Sequence, residues 1–88
     1  MLSYEVGDIA VSKAGHDKGS KYIIMEVSKD FVYLADGRLK KTDKPKKKNI
    51  KHIQILHIND NSVKEKVLSG ITNEEIKYFL KTFGGNNV

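Results

Sequence analysis

The first two thirds of the chain alternate short apolar runs with clusters of turn formers, and each run is strand-sized. Val6 to Ser12 sets Ile9 and Val11 on one face, which predicts a first strand after Gly7-Asp8. Ala14-Gly15-His16-Asp17-Lys18-Gly19-Ser20 then reads as a tight turn. Lys21 to Ser28 predicts a second strand, with Ile23, Met25 and Val27 pointing one way and Tyr22, Glu26 and Ser28 the other, and Ile24 breaks the alternation. Lys29-Asp30 predicts a two-residue hairpin link into a third strand, Phe31 to Ala35. Asp36-Gly37 is the next turn, and Arg38 to Lys41 follows as a short fourth strand. Thr42 to Lys48 carries the only proline, Pro45, which cannot donate to a ladder, so this stretch is expected to be a loop. Ile50 to Ile58 is the last strand. It has Ile50, Leu56 and Ile58 on one parity and Ile53 and Ile55 on the other, the change of face that a bulge or barrel corner produces.

The tail changes period after Asn59-Asp60-Asn61. Thr72-Asn73-Glu74-Glu75 fits a capping box, and Ile76, Phe79, Leu80 and Phe83 recur at helical spacing until Gly84-Gly85 stops the run. Val63, Val67 and Leu68 predict a weaker helical turn before it. A helix this short is not stable alone, so its apolar stripe buries either on an open end of its own barrel or on a partner protein. Five short strands favour a small closed barrel over a sandwich, which needs more strands. The expected organisation is a mainly β barrel over residues 1–58 with a C-terminal amphipathic helical extension, 59–88, packed on it.

Charge changes the picture by its position. The formal net charge is +5. Residues 1–57 hold 12 Lys and Arg against 7 Asp and Glu, while residues 58–88 hold 4 against 4. Between Asp36 and His52, Arg38, Lys40, Lys41, Lys44, Lys46, Lys47, Lys48 and Lys51 face only Asp36 and Asp43. Such density fits a polyanionic partner, nucleic acid ahead of an acidic protein or a membrane surface; the alternative is a basic loop that is merely solvated. With no Cys, there are no disulfides, thiolate zinc sites or cysteine nucleophiles. No apolar run reaches the roughly 20 residues of a membrane span and the N-terminus lacks a signal-peptide pattern, so a cytoplasmic location is expected.

Catalytic constellations are missing. His52 and His57 lie five apart, on opposite faces of a strand, and make no ligand pair; His16, Asp17 and Ser20 sit in one tight turn without a pocket to desolvate them. Glu74-Glu75 is explained by the helix cap. The chain is therefore read as a non-enzyme without cofactor or metal.

Gly7-Asp8-Ile9-Ala10-Val11, followed by Gly15-His16-Asp17-Lys18-Gly19 and an apolar strand, resembles the KOW motif. Lys48-Asn49-Ile50-Lys51-His52-Ile53 resembles the basic Asn-apolar-Lys-His-Leu segment of one branch of KOW ribosomal proteins, a large-subunit component of archaea and eukaryotes, and of short bacterial ribosomal-protein-like KOW proteins. Together the two matches span roughly residues 5–58, and Tyr22 stands where many KOW motifs carry a further glycine. The resemblance implies a five-stranded SH3-like barrel that binds RNA.

A KOW-like turn suits phosphate because glycine admits close approach of main-chain N–H groups while lysine supplies charge. Lys13, His16, Lys18 and Lys21 flank Gly15 and Gly19 in this way, and Asp17 is given a turn role, its carboxylate accepting from a following backbone N–H. The second segment supplies the larger electrostatic contribution through Arg38, Lys40, Lys41, Lys44, Lys46, Lys47, Lys48, Asn49, Lys51 and His52. If about five of these cations neutralise phosphates of single-stranded RNA, log K falls with log[salt] at a slope of about −3.5. Tyr22, Tyr33 and His52 are the stacking candidates. The expected function is an RNA-binding protein of the translation machinery that contacts ribosomal RNA. The alternative is a protein-interaction module of NusG type acting in transcription or ribosome association, its C-terminal helix holding a ribosomal or transcription protein.

Overall fold

The computed structural model describes residues 4–58 and 60–83. Five strands, β1 (Ile9–Ser12), β2 (Lys21–Val27), β3 (Phe31–Ala35), β4 (Lys46–Asn49) and β5 (Ile53–Leu56), form one antiparallel sheet in the order β4-β3-β2-β1-β5. Only the 3-10 turn Ile50–His52 separates β4 from β5, so the two edge strands are consecutive in the chain and the sheet curls into a small SH3-like barrel. Two helices follow, α1 (Asn61–Ser69) and α2 (Asn73–Phe83).

Both faces of this sheet are covered, which explains the irregular apolar pattern. The register aligns Leu56, Ile9, Ile23 and Ala35 in one row across β5, β1, β2 and β3, and Val63, Ile71 and Ile76 of the tail pack on it. The intervening positions Ala10, Tyr22, Ile24, Val32, Leu34 and Ile53 fill the barrel interior. Ile24 thus obeys the period-2 rule on a strand buried from both sides. A bulge between Ile24 and Glu26 then shifts the parity, so Val27 joins the interior cluster instead of sharing a face with Ile23 and Met25. The change of face expected around Ile50 to Ile58 is the corner made by the 3-10 turn. Ile50, Ile53 and Ile55 pack inside, while Leu56 and Ile58 pack under the helices.

The fourth strand is not where alternation placed it. Arg38 to Lys41 forms a loop closed by the Asp36 carboxylate, which accepts from the N–H groups of Arg38 at 2.9 Å and Lys40 at 2.8 Å. The strand is Lys46–Asn49, inside the expected Thr42 to Lys48 loop, and Pro45 stands just before its first residue, where a missing N–H is tolerated.

Local chemistry sets the helix ends. Asp60 caps α1 by accepting from Ser62 N–H at 2.9 Å, and Gly70 ends it in the left-handed conformation, giving nine helical residues where a single turn was expected. At α2 the capping box forms as read: Glu75 N–H donates to Thr72 Oγ1 at 3.1 Å, and Thr72 N–H donates to Glu75 Oε1 at 2.9 Å. Thr72→Ala is expected to cost about 1 kcal/mol, seen as a melting temperature lower by roughly 4–8 °C in a thermal melt. The expected stop at Gly84-Gly85 lies outside the described residues. Ile76 is fully buried, and Phe79, Leu80 and Phe83 pack beside it on the β1-β2-β3 face.

Candidate nucleic-acid interface

The turn between β1 and β2 is built by main-chain hydrogen bonds: Gly19 N–H donates to Ser12 O at 2.8 Å and Ser20 N–H to Asp17 O at 2.8 Å. Its backbone needs no help from the Asp17 carboxylate, which turns inward. Oδ1 accepts from Ser12 Oγ at 2.9 Å and Lys48 Nζ at 2.9 Å, and Oδ2 from Tyr22 OH at 2.7 Å and Lys46 Nζ at 2.6 Å. The turn role expected for this carboxylate is therefore corrected. Asp17 is a cross-link between the β1–β2 turn and β4.

The register shows why those lysines reach it. Lys46 pairs with Leu34 and Lys48 with Val32, so both stems start on the interior side of the barrel, over two fully buried residues. Lysine can do this because its four methylenes cover apolar surface while the ammonium seeks a polar partner. The Lys48 side chain is only 11% exposed and that of Asp17 15%. Burial alone would push the Asp17 carboxyl up, but the donors Lys46, Lys48, Tyr22 and Ser12 outweigh it and hold the group well below the usual carboxylate range. Burial and the bond to Asp17 push the Tyr22 phenol up to about 12. Lys47, on the opposite parity, leaves its ammonium 4.3 Å from the Phe31 ring centroid on the outer surface.

The second matched segment lies beside the turn. Asn49 caps the 3-10 turn, its side chain accepting from Lys51 N–H at 2.9 Å, which leaves Lys51 and His52 exposed. Lys13 N–H donates to His52 O at 2.8 Å, and Lys48 Nζ donates to Ala14 O at 3.1 Å. Lys13, Gly15, His16, Lys18 and Gly19 are therefore brought against Lys46, Lys48, Lys51 and His52, with Lys13, His16, Lys18, Lys51 and His52 all solvent-exposed. Arg38, Lys40, Lys41 and Lys44 do not join that group. They lie on the 36–45 excursion, where Thr42 N–H donates to Asn73 Oδ1 of α2 at 2.9 Å and Arg38 shares a groove with Lys21, Lys77 and Lys81.

Of the stacking candidates, Tyr22 is buried with its hydroxyl engaged, Tyr33 is half-buried and His52 is exposed. Lys77 and Lys81 escaped the sequence reading; the available signal was their i, i+4 spacing on the polar side of α2. His57 Nδ1 lies 3.1 Å from Asp8 Oδ2, far in role from His52. Among the described residues no cluster of three His, Asp or Glu could hold a metal, and no helix is long and apolar enough to cross a membrane.

A curled five-stranded barrel with a glycine-bearing basic turn beside a basic 3-10 turn defines a protein of the SH3-like, KOW-resembling class. The chain is 35% identical to the large ribosomal subunit protein eL14 of Desulfurococcus amylolyticus, over 100% of its own length and 84% of that protein. It is 29% identical to the large ribosomal subunit protein eL14 of Staphylothermus marinus, over 92% of this chain and 90% of the other. The chain belongs to the eL14 family of large-subunit ribosomal proteins, which are structural components and not enzymes. No protein-family model matches it.

Proposed function

We propose that the protein acts in translation, in the cytoplasm, by binding ribosomal RNA through the face made by the β1–β2 turn and the 3-10 turn. Membership of a large-subunit ribosomal family supports the partner class. The observation that carries the site is the Lys13 N–H to His52 O bond, which joins the two basic segments at their backbones. Lys13, Lys18 and Lys51 meet phosphates there, and Gly15, His16, Gly19, Asn49 and His52 line the path. Lys46 and Lys48 act chiefly through Asp17, fixing the turn's position, and need no cofactor to do so.

The NusG-type alternative has less support, because the apolar residues of α2 that would hold a protein partner are packed into the protein's own core. The test is fluorescence anisotropy with ribosomal RNA fragments across a salt series. Wild type is expected to bind with a salt slope to which this face contributes about −2. Lys13→Gln, Lys18→Gln and Lys51→Gln together should make that slope shallower by about two units without altering the fold. Wild-type binding that ignores salt, or no binding at low salt, would sink the reading.

A further inference from the structure

The groove between α2 and the loop after β3 gathers cations that the face described above does not use. Lys21 at the start of β2, Arg38 in the loop, and Lys77 and Lys81 one helical turn apart on α2 line an open depression of about 680 Å³ with Ser20, Asp36 and Leu80. Its walls are held together by the Thr42 N–H to Asn73 Oδ1 bond and by Gly37, whose backbone lies directly against Asn73. Among the described residues one carboxylate lines it, that of Asp36, whose Oδ1 is engaged by the N–H groups of Arg38 and Lys40.

Like Lys13, Lys18 and Lys51 of the barrel face, most of these cations hold no carboxylate among the described residues. Lys46, Lys48, Lys64 and Lys66 each hold a carboxylate. Among the described residues no ion pair engages Lys21, Arg38 or Lys81, and Lys77 pairs only with Glu74 at 3.0 Å, whose side chain is 83% exposed. A surface pair of that kind is readily exchanged for a stronger anion. Four cations converging on a concave wall with one carboxylate form an electropositive pocket, and arginine beside lysine is the pairing that recognises phosphate oxygens. The groove also continues the RNA face, since Ser20 and Lys21 end the β1–β2 turn. With its apolar stripe in the core, α2 presents its basic edge to a ligand.

We propose that this groove is a second RNA-phosphate site, through which Lys77 and Lys81 of the C-terminal helix, with Lys21 and Arg38, extend the RNA track beyond the barrel turn. It rests on the RNA reading above. The test compares wild type, a Lys77→Gln/Lys81→Gln variant and a Lys13→Gln/Lys18→Gln variant against one single-stranded ribosomal RNA fragment at several salt concentrations. All four substituted side chains are off the core, and unchanged melting curves verify the fold. The helix variant is expected to bind about tenfold more weakly at low salt, with a slope shallower by about 1.4 units. If Lys13→Gln/Lys18→Gln weakens binding while the helix variant keeps wild-type affinity and slope, the groove proposal is overturned and the RNA reading stands. If no form of the protein binds, both fall.

Discussion

Asp17→Asn is expected to remove about 3 kcal/mol of stability, because it leaves two ammonium groups on the barrel interior without their counter-charge. The effect sits at the lower end for a buried pair because the Lys46 side chain is 28% exposed and retains some water. The loss extends beyond charge. Asn keeps one acceptor oxygen, so four donors from Ser12, Tyr22, Lys46 and Lys48 compete for it, and at least one is left unsatisfied. Chemical denaturation should show a lower midpoint at unchanged m-value.

The same carboxylate sets an acid limit on the fold. Its folded-state pKa lies below its unfolded value, so the native state binds fewer protons and the contribution is fully present above the unfolded value of about 3.9. It fades as pH falls below that, and Asp17→Asn should flatten the stability profile there. Tyr22 behaves in the opposite sense. Its pKa is raised to about 12, so its contribution is complete below about pH 10 and disappears as pH climbs towards 12. A pH series of denaturation midpoints on wild type and Asp17→Asn reads both ends, and an unchanged acid limb in the variant would remove Asp17 from the account.

Gly37→Ala is the second large effect. A Cβ at this position would lie 2.3 Å from the Asn73 carbonyl oxygen at the start of α2, on a backbone with φ of +78°, so the substitution combines steric overlap with a left-handed conformation that alanine resists. The expected cost is about 3 kcal/mol. Gly19→Ala supplies the control. Its φ of +91° is similar but a Cβ there meets nothing within 4 Å among the described residues, so only about 1 kcal/mol should be lost. The difference between the variants isolates the approach of α2 to the barrel, and hydrogen exchange should localise the Gly37→Ala damage to α2 and the 36–45 loop.

What could be read in the residues followed range of interaction. β1, β2 and β3 announce themselves through short apolar runs bounded by turn formers, and the α2 cap through Thr72 and Glu75, because each depends on neighbours within a few positions. β4 does not. Lys46-Lys47-Lys48 reads as a solvated loop until Asp17, 29 and 31 positions earlier, is known to receive two of the three ammonium groups. No local pattern encodes that pairing. Asp17 misleads for the same reason: an Asp in a Gly-rich turn ordinarily caps its own backbone, and here the main chain closes the turn unaided. The candidate interface is half legible. The resemblance singled out the turn and the Asn49–His52 segment, and the structure puts them side by side; the division of the lysines into paired and unpaired sets needed three dimensions.

The most direct test of the RNA face is residue-resolved: amide chemical shifts of the labelled protein followed during titration with a ribosomal RNA fragment at moderate salt. The largest changes are expected at Lys13 to Lys21 and Asn49 to His52, with the exposed tip of the β2–β3 hairpin unmoved. Changes confined to the hairpin and the outer surface of α1, with both basic turns silent, would contradict the RNA face.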